Sequence, residues 1–220
     1  MSFNYSIKNI NFLQLIIIFQ IISFNICEKM SEEDIISTIE SKTITYGSSL
    51  RIQNTITKFY LSSFGMNWST GSGLQIITAV ESDKDTNSLF TIKEGENYPQ
   101  KLNGESVLCG DIIRLEHITT GKNLHSHAFK SFVTDSQEAC AFGEDGQGDV
   151  NDNFRISCYQ KKDNDIITGK TEFFLQHVPT EQFLYINYRY SMYNDRNCRG
   201  CPIRGQREVS LTNRKDKTKK

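Results

Sequence analysis

Three groups of side chains in this 220-residue sequence have types and spacings that could do chemistry. His125 and His127 are two apart, so on a β-strand they face the same side and could ligate a metal or donate to a sugar or peptide. No third ligand type converges on them along the chain; a structural or surface polar role is the plainer reading, and no metal or other cofactor is expected. The run Glu144-Asp145-Gly146-Gln147-Gly148-Asp149 is acidic and Gly-rich. Glu144, Asp145 and Asp149 could offer oxygens to calcium, but the spacing is not that of the calcium-binding loop, and a solvated or partner-binding loop fits better. Cys198-Arg199-Gly200-Cys201 could be a thiol–disulfide redox centre. Such centres sit at helix N-termini, whereas this one precedes a strand in a Tyr- and Arg-rich loop, so a local loop disulfide is expected. A lone pair of cysteines is also only half a zinc site. There is no nucleophile elbow, phosphate loop or metalloprotease motif, and nothing proposes an enzymatic reaction.

The elements that hold these groups begin after a distinct leader. Lys8 is the only charge before a run from Phe12 to Cys27 that is almost wholly apolar. Residues 1–27 read as a secretory signal peptide. Gln14, Gln20 and Ser23 interrupt the run, which argues against the rival reading, an uncleaved membrane anchor. The mature protein is then expected in the endoplasmic reticulum lumen or secreted, without stable membrane insertion, and disulfides are expected with it. Asn67-Trp68-Ser69 is an N-glycosylation sequon. Net charge is −1, so no nucleic-acid partner is expected. Residues 28–43 read as an N-terminal tether and 212–220 as a basic tail.

Between them the chain repeats itself. Asn54, His117 and His177 lie 63 and 60 residues apart. Each is followed three residues on by Thr57, Thr120 or Thr180, and seven on by Leu61, Leu124 or Leu184. A strand led by Gln75, Gln137 or Gln206 comes later in each copy. Phe90-centred and Phe154-centred strands close the first two copies. About four strands in each of three copies predict an all-β protein, a β-trefoil with pseudo-threefold symmetry over 44–211, with repeats at about 46–95, 109–160 and 169–211. An open sandwich is the alternative. The third copy has no aromatic closing strand, so either closure is imperfect or residues 44–46 or the tail complete it. The Asn/His interchange at 54, 117 and 177 predicts a shared hydrogen-bonding role.

Leu124-His-Ser-His127, Gln137 to Phe142, Phe142-Gly-Glu-Asp-Gly-Gln-Gly-Asp149 and Asn151-Asp-Asn-Phe154 resemble the stromal-cell-derived-factor-2-like family, built of three MIR motifs. Tyr46-Gly47-Ser48 and Gly71-Ser72-Gly73 are similar to further motifs of that family. The resemblance implies a non-catalytic β-trefoil of the endoplasmic reticulum lumen. It also implies partners: a J-domain co-chaperone and an Hsp70-type chaperone, with unfolded or O-mannosylated clients. A glycan-binding lectin is the alternative, resting on Trp68, Tyr185, Tyr188, Tyr190 and Tyr193; a redox protein using Cys198 and Cys201 is a further one. In a trefoil the strands carrying Cys109 and Cys158 are neighbours, which predicts a disulfide closing the second repeat. Cys140, in a core strand, is expected to be a buried free thiol.

Overall fold

In a computed structural model of the chain, residues 42–213 are described. The expected signal peptide, most of the tether and most of the basic tail lie outside them. Twelve strands make one antiparallel sheet system. The first repeat supplies β1 (Ser49–Leu50), β2 (Tyr60–Asn67), β3 (Gln75–Val80) and β4 (Phe90–Glu94). The second supplies β5 (Ile112–His117), β6 (Lys122–Lys130), β7 (Gln137–Phe142) and β8 (Phe154–Cys158). The third supplies β9 (Phe173–His177), β10 (Phe183–Tyr185), β11 (Arg207–Glu208) and β12 (Ser210–Thr212). β12 reaches one residue past the expected end of the domain.

The threefold symmetry is written in the backbone. Ile44 donates its N–H to the Ile167 carbonyl at 3.0 Å, Val107 donates to Ile44 at 3.0 Å, and Ile167 donates to Val107 at 3.1 Å. These residues keep the 63- and 60-residue spacing of Asn54, His117 and His177. Around this ring pack the inward side chains of the strands. Phe90 and Phe154 are fully buried, as are Leu115, Leu124 and Leu211. Each such side chain contributes roughly 1.5–3 kcal/mol of hydrophobic stabilisation. β3 (Gln-Ile-Ile-Thr-Ala-Val) is buried at every position, which suits its β-branched content.

Consecutive repeats are joined in the same way twice. β4 pairs antiparallel with β5, Phe90 opposite His117, and β8 pairs with β9, Phe154 opposite His177. No third closing strand lies between β9 and β1 among the described residues. Residues 44–46 do not supply it; Thr43 and Thr45 instead form bridges to Thr168 and Ser106. Among the described residues no strand closes this seam, where Leu50, Ile52, Ile156 and Phe173 line a cleft of about 330 Å³; most of the basic tail, the other expected means of closure, lies outside them.

One detail of the expected repeat is corrected. Leu61, Leu124 and Leu184 face Ala79, Ala141 and Leu211. Four residues before those partners stand Gln75, Gln137 and Arg207, so Arg207 and not Gln206 holds the third position. Its guanidinium lies 4.8 Å from the Phe59 ring centroid. The third copy thus reaches the first by a cation–π contact where the other copies use an amide.

Candidate functional site

The residues singled out by the repeat form two relays between lobes. Gln75 Nε2 of the first repeat donates to Thr120 Oγ1 of the second at 2.8 Å. Thr120 lies 2.9 Å from His117 Nδ1, and His117 Nε2 lies 3.0 Å from the Asn87 carbonyl oxygen. The second-to-third junction repeats this. Gln137 Nε2 donates to Thr180 Oγ1 at 3.0 Å, Thr180 meets His177 Nδ1 at 2.8 Å, and His177 Nε2 meets the Asn151 carbonyl at 2.9 Å. A carbonyl only accepts, so both imidazoles carry their proton on Nε2 and accept from threonine at Nδ1. Burial lowers the pKa of both, His177 to about 4. These neutral rings act as hydrogen-bonded struts. Among the described residues Asn54 has no preceding closing strand to reach, and its Oδ1 accepts locally from Thr57 N–H at 2.8 Å and Thr57 O–H at 3.0 Å. The shared hydrogen-bonding role is as expected, and the shorter Asn marks the open seam.

The His-Ser-His pair divides. His125 is only 3% exposed, so the surface reading is corrected for it. Its Nδ1 lies 2.8 Å from Asp152 Oδ1 and 3.7 Å from Asp149 Oδ1. Asp149 caps the short 3-10 turn Val150–Asp152, and Asp152, wholly buried, accepts in return from the Asp149 N–H at 2.9 Å. Asn123 Nδ2 completes the shell of Asp152 at 3.2 Å. Glu144 and Asp145 are exposed, and Asp149, beside His125, keeps 46% of its side chain exposed, so the carboxylates of the acidic run are largely solvated. His127 stands edge-on to His125 with ring centroids 5.1 Å apart, on the same side of the strand as expected. It faces two groups of β7 that the sequence did not bring to it. His127 Nε2 is 3.5 Å from Glu138 Oε1 and 3.8 Å from Cys140 Sγ.

Glu138 has a counterpart. Counting from the facing leucines places Ile76, Glu138 and Glu208 at one position of the three repeats. Glu208 of the third repeat accepts from the N–H groups of Val133 and Thr134 in the turn of the second. Glu138 reaches the turn of the first repeat, bonding Ser72 O–H and, at 3.5 Å, Ser72 N–H. Gly71 permits that approach: a Cβ there would meet Glu138 Oε2 at 2.1 Å. The third member, Ile76, packs with Tyr193 and Ile203 in a second apolar cluster beside Cys198 and Cys201.

The cysteines pair as expected. Cys109 and Cys158 are bonded with Cα atoms 5.6 Å apart, and Cys198 and Cys201 with Cα atoms 5.5 Å apart. Cys140 is a buried free thiol. Asn67 is exposed at the end of β2. Of the aromatics proposed to bind sugar, Tyr193 is 1% exposed and belongs to the core, and Trp68, partly buried, lies against it with ring centroids 6.0 Å apart. Tyr188 and Tyr190 are exposed.

The inter-lobe relays, the backbone ring and the repeated turn caps define a trefoil of three MIR repeats. The MIR domain family matches residues 67–217. Human stromal cell-derived factor 2-like protein 1 is 38% identical over 76% of this chain and 69% of its own length. Human stromal cell-derived factor 2 is 36% identical over 76% of this chain and 72% of its own. The crystal structure of the SDF2-like protein from Arabidopsis thaliana superposes with a TM-score of 0.71 at 29% identity, covering 80% of this chain and 91% of that one. The chain belongs to the stromal cell-derived factor 2-like family of MIR-domain proteins.

Proposed function

We propose that this chain is a non-catalytic binding module of the endoplasmic reticulum lumen that assists protein folding and quality control through a J-domain co-chaperone and an Hsp70-type chaperone. Its family membership across the whole trefoil carries this reading. The site geometry supports it. The two repeated histidines, His117 and His177, are neutral and held on both ring nitrogens by the fold, so they serve as struts. The test is affinity capture from a lumenal extract with the mature, oxidised chain as bait. A J-domain protein and an Hsp70-type chaperone are the expected prey; recovery of neither sinks the proposal.

A lectin role has one observation in its favour, the exposed Tyr188 and Tyr190 of the third repeat. Micromolar binding on a glycan array, lost in a Tyr190→Ala variant, would support it over the chaperone reading. A redox role would show as insulin reduction by the parent and its loss in Cys198→Ser. Cys198 and Cys201 pack against the Ile76–Tyr193–Ile203 cluster, which suits a structural clamp.

A further inference from the structure

We propose that His127, Glu138 and Cys140 form a zinc-binding site on the second repeat, with a fourth position left open to water or to a donor from another molecule. All three offer a ligand atom, and these atoms lie within 4.8 Å of one another. Ideal zinc bond lengths of about 2.0–2.3 Å at tetrahedral angles separate neighbouring donors by roughly 3.3–3.6 Å. The observed 3.5 Å from His127 Nε2 to Glu138 Oε1 and 3.8 Å to Cys140 Sγ already approach that spacing. Imidazole, carboxylate and thiolate together are a zinc-type donor set.

The pseudo-threefold symmetry provides an internal comparison. The position of Cys140 is held by Thr78 and Ser210 in the other repeats, and that of Glu138 by Ile76 and Glu208. Phe64 stands where His127 does in the first repeat. The trefoil therefore needs none of these three donors as a set, and only the second repeat assembles them.

The local chemistry also departs from that of the symmetry mate. Glu208 is held by two backbone N–H groups and the hydroxyl of Thr134. Glu138, 4% exposed, has the Ser72 hydroxyl, one long N–H contact at 3.5 Å and His127. No lysine or arginine pairs with it among the described residues. A divalent cation beside this buried carboxylate supplies the missing positive charge. Cys140 donates its S–H to the His125 carbonyl at 3.7 Å. Binding breaks that S–H bond, forms a sulfur–zinc bond and releases one proton to solvent. His127, whose side chain is 22% exposed, is the side from which an ion enters.

The neighbouring group His125, Asp149 and Asp152 also has three donors within reach. Its carboxylates are already spent on the 3-10 turn and on Asn123, so it is left out of the site.

The test is titration of the oxidised full-length chain with Co²⁺, followed by displacement with Zn²⁺. One equivalent should bind, with a thiolate-to-cobalt charge-transfer band in the near ultraviolet and one proton released. Cys140→Ser, the residue already found at 210, should fold, keep its melting temperature and lose the band. His127→Gln, at a partly exposed position, should weaken Zn²⁺ binding by at least about tenfold. No stoichiometric binding by the parent overturns the proposal. So does binding without the charge-transfer band, or binding untouched by His127→Gln, which decides the matter if Cys140→Ser does not fold.

Discussion

His177 Nε2 donates to the Asn151 carbonyl at 2.9 Å and, with the Val178 N–H on the Asn153 carbonyl, ties the third repeat to the loop that precedes the closing strand of the second. The ring is a neutral imidazole that also accepts from Thr180 at Nδ1, because burial disfavours its charged form. Its pKa falls from the ordinary 6.5 to about 4, chiefly through burial. The unfolded chain therefore binds more protons than the folded one between these values. Stability is complete above about pH 6.5 and is lost as pH falls toward about 4, by up to about 3 kcal/mol for this residue. His117 acts in the same direction. Melting temperature measured down this range should drop, and a His177→Asn variant should show a shallower drop. An unchanged slope in the variant would contradict the strut role.

Glu208 shows the opposite sign. Burial raises its carboxyl pKa, partly offset by the donors of Val133 and Thr134. Its contribution is present at low pH and declines as pH rises through the folded value. Glu208→Ala leaves two N–H groups and a hydroxyl without their acceptor, at a cost of about 1–3 kcal/mol. Urea unfolding should show the midpoint shift without a large change in slope.

The Cys109–Cys158 disulfide spans 49 residues and closes the second repeat on itself. Chain entropy gives a stabilisation of about 4 kcal/mol at most for a loop of that length. A Cys109→Ala/Cys158→Ala double variant should lose much of this in denaturant titration, whereas Cys198→Ala/Cys201→Ala, closing a loop of only a few residues, should lose clearly less. Equal losses would argue against the entropic account.

Asn67 is exposed within its sequon, so chain made in a secretory host should carry a glycan there. Endoglycosidase treatment should increase gel mobility, and Asn67→Gln should abolish the shift. A parent chain that does not shift shows that the turn after β2 is not recognised.

The repeat was legible in the sequence because the same contacts demand the same residues at each junction. His117 and His177 with their trailing threonines are the two relays themselves, and Asn54 with Thr57 is their local counterpart. The Cys109–Cys158 pairing follows once the strands are placed. Other features depend on register that no local pattern reports. Gln206 looks like the leader of its strand, yet pairing with β10 puts Arg207 there, because the third repeat is threaded against strands far away in sequence. Glu138 and Cys140 gave no signal beside His127, since β7 reaches β6 only through hydrogen-bonded pairing past a bulge. The sequence leaves His125 as either structural or polar surface, and the contact with buried Asp152 decides for the structural role.

The ring of Ile44, Val107 and Ile167 has a temporal meaning. Its first member leaves the ribosome two whole repeats before its last, and no two-repeat intermediate can satisfy all three amides. Until Ile167 arrives, the Ile44 N–H and the Val107 carbonyl must stay with water, and the apolar faces around them stay uncovered. The chain thus commits to its fold late in synthesis, and spends that interval as the kind of nascent substrate that its own proposed partners exist to shelter.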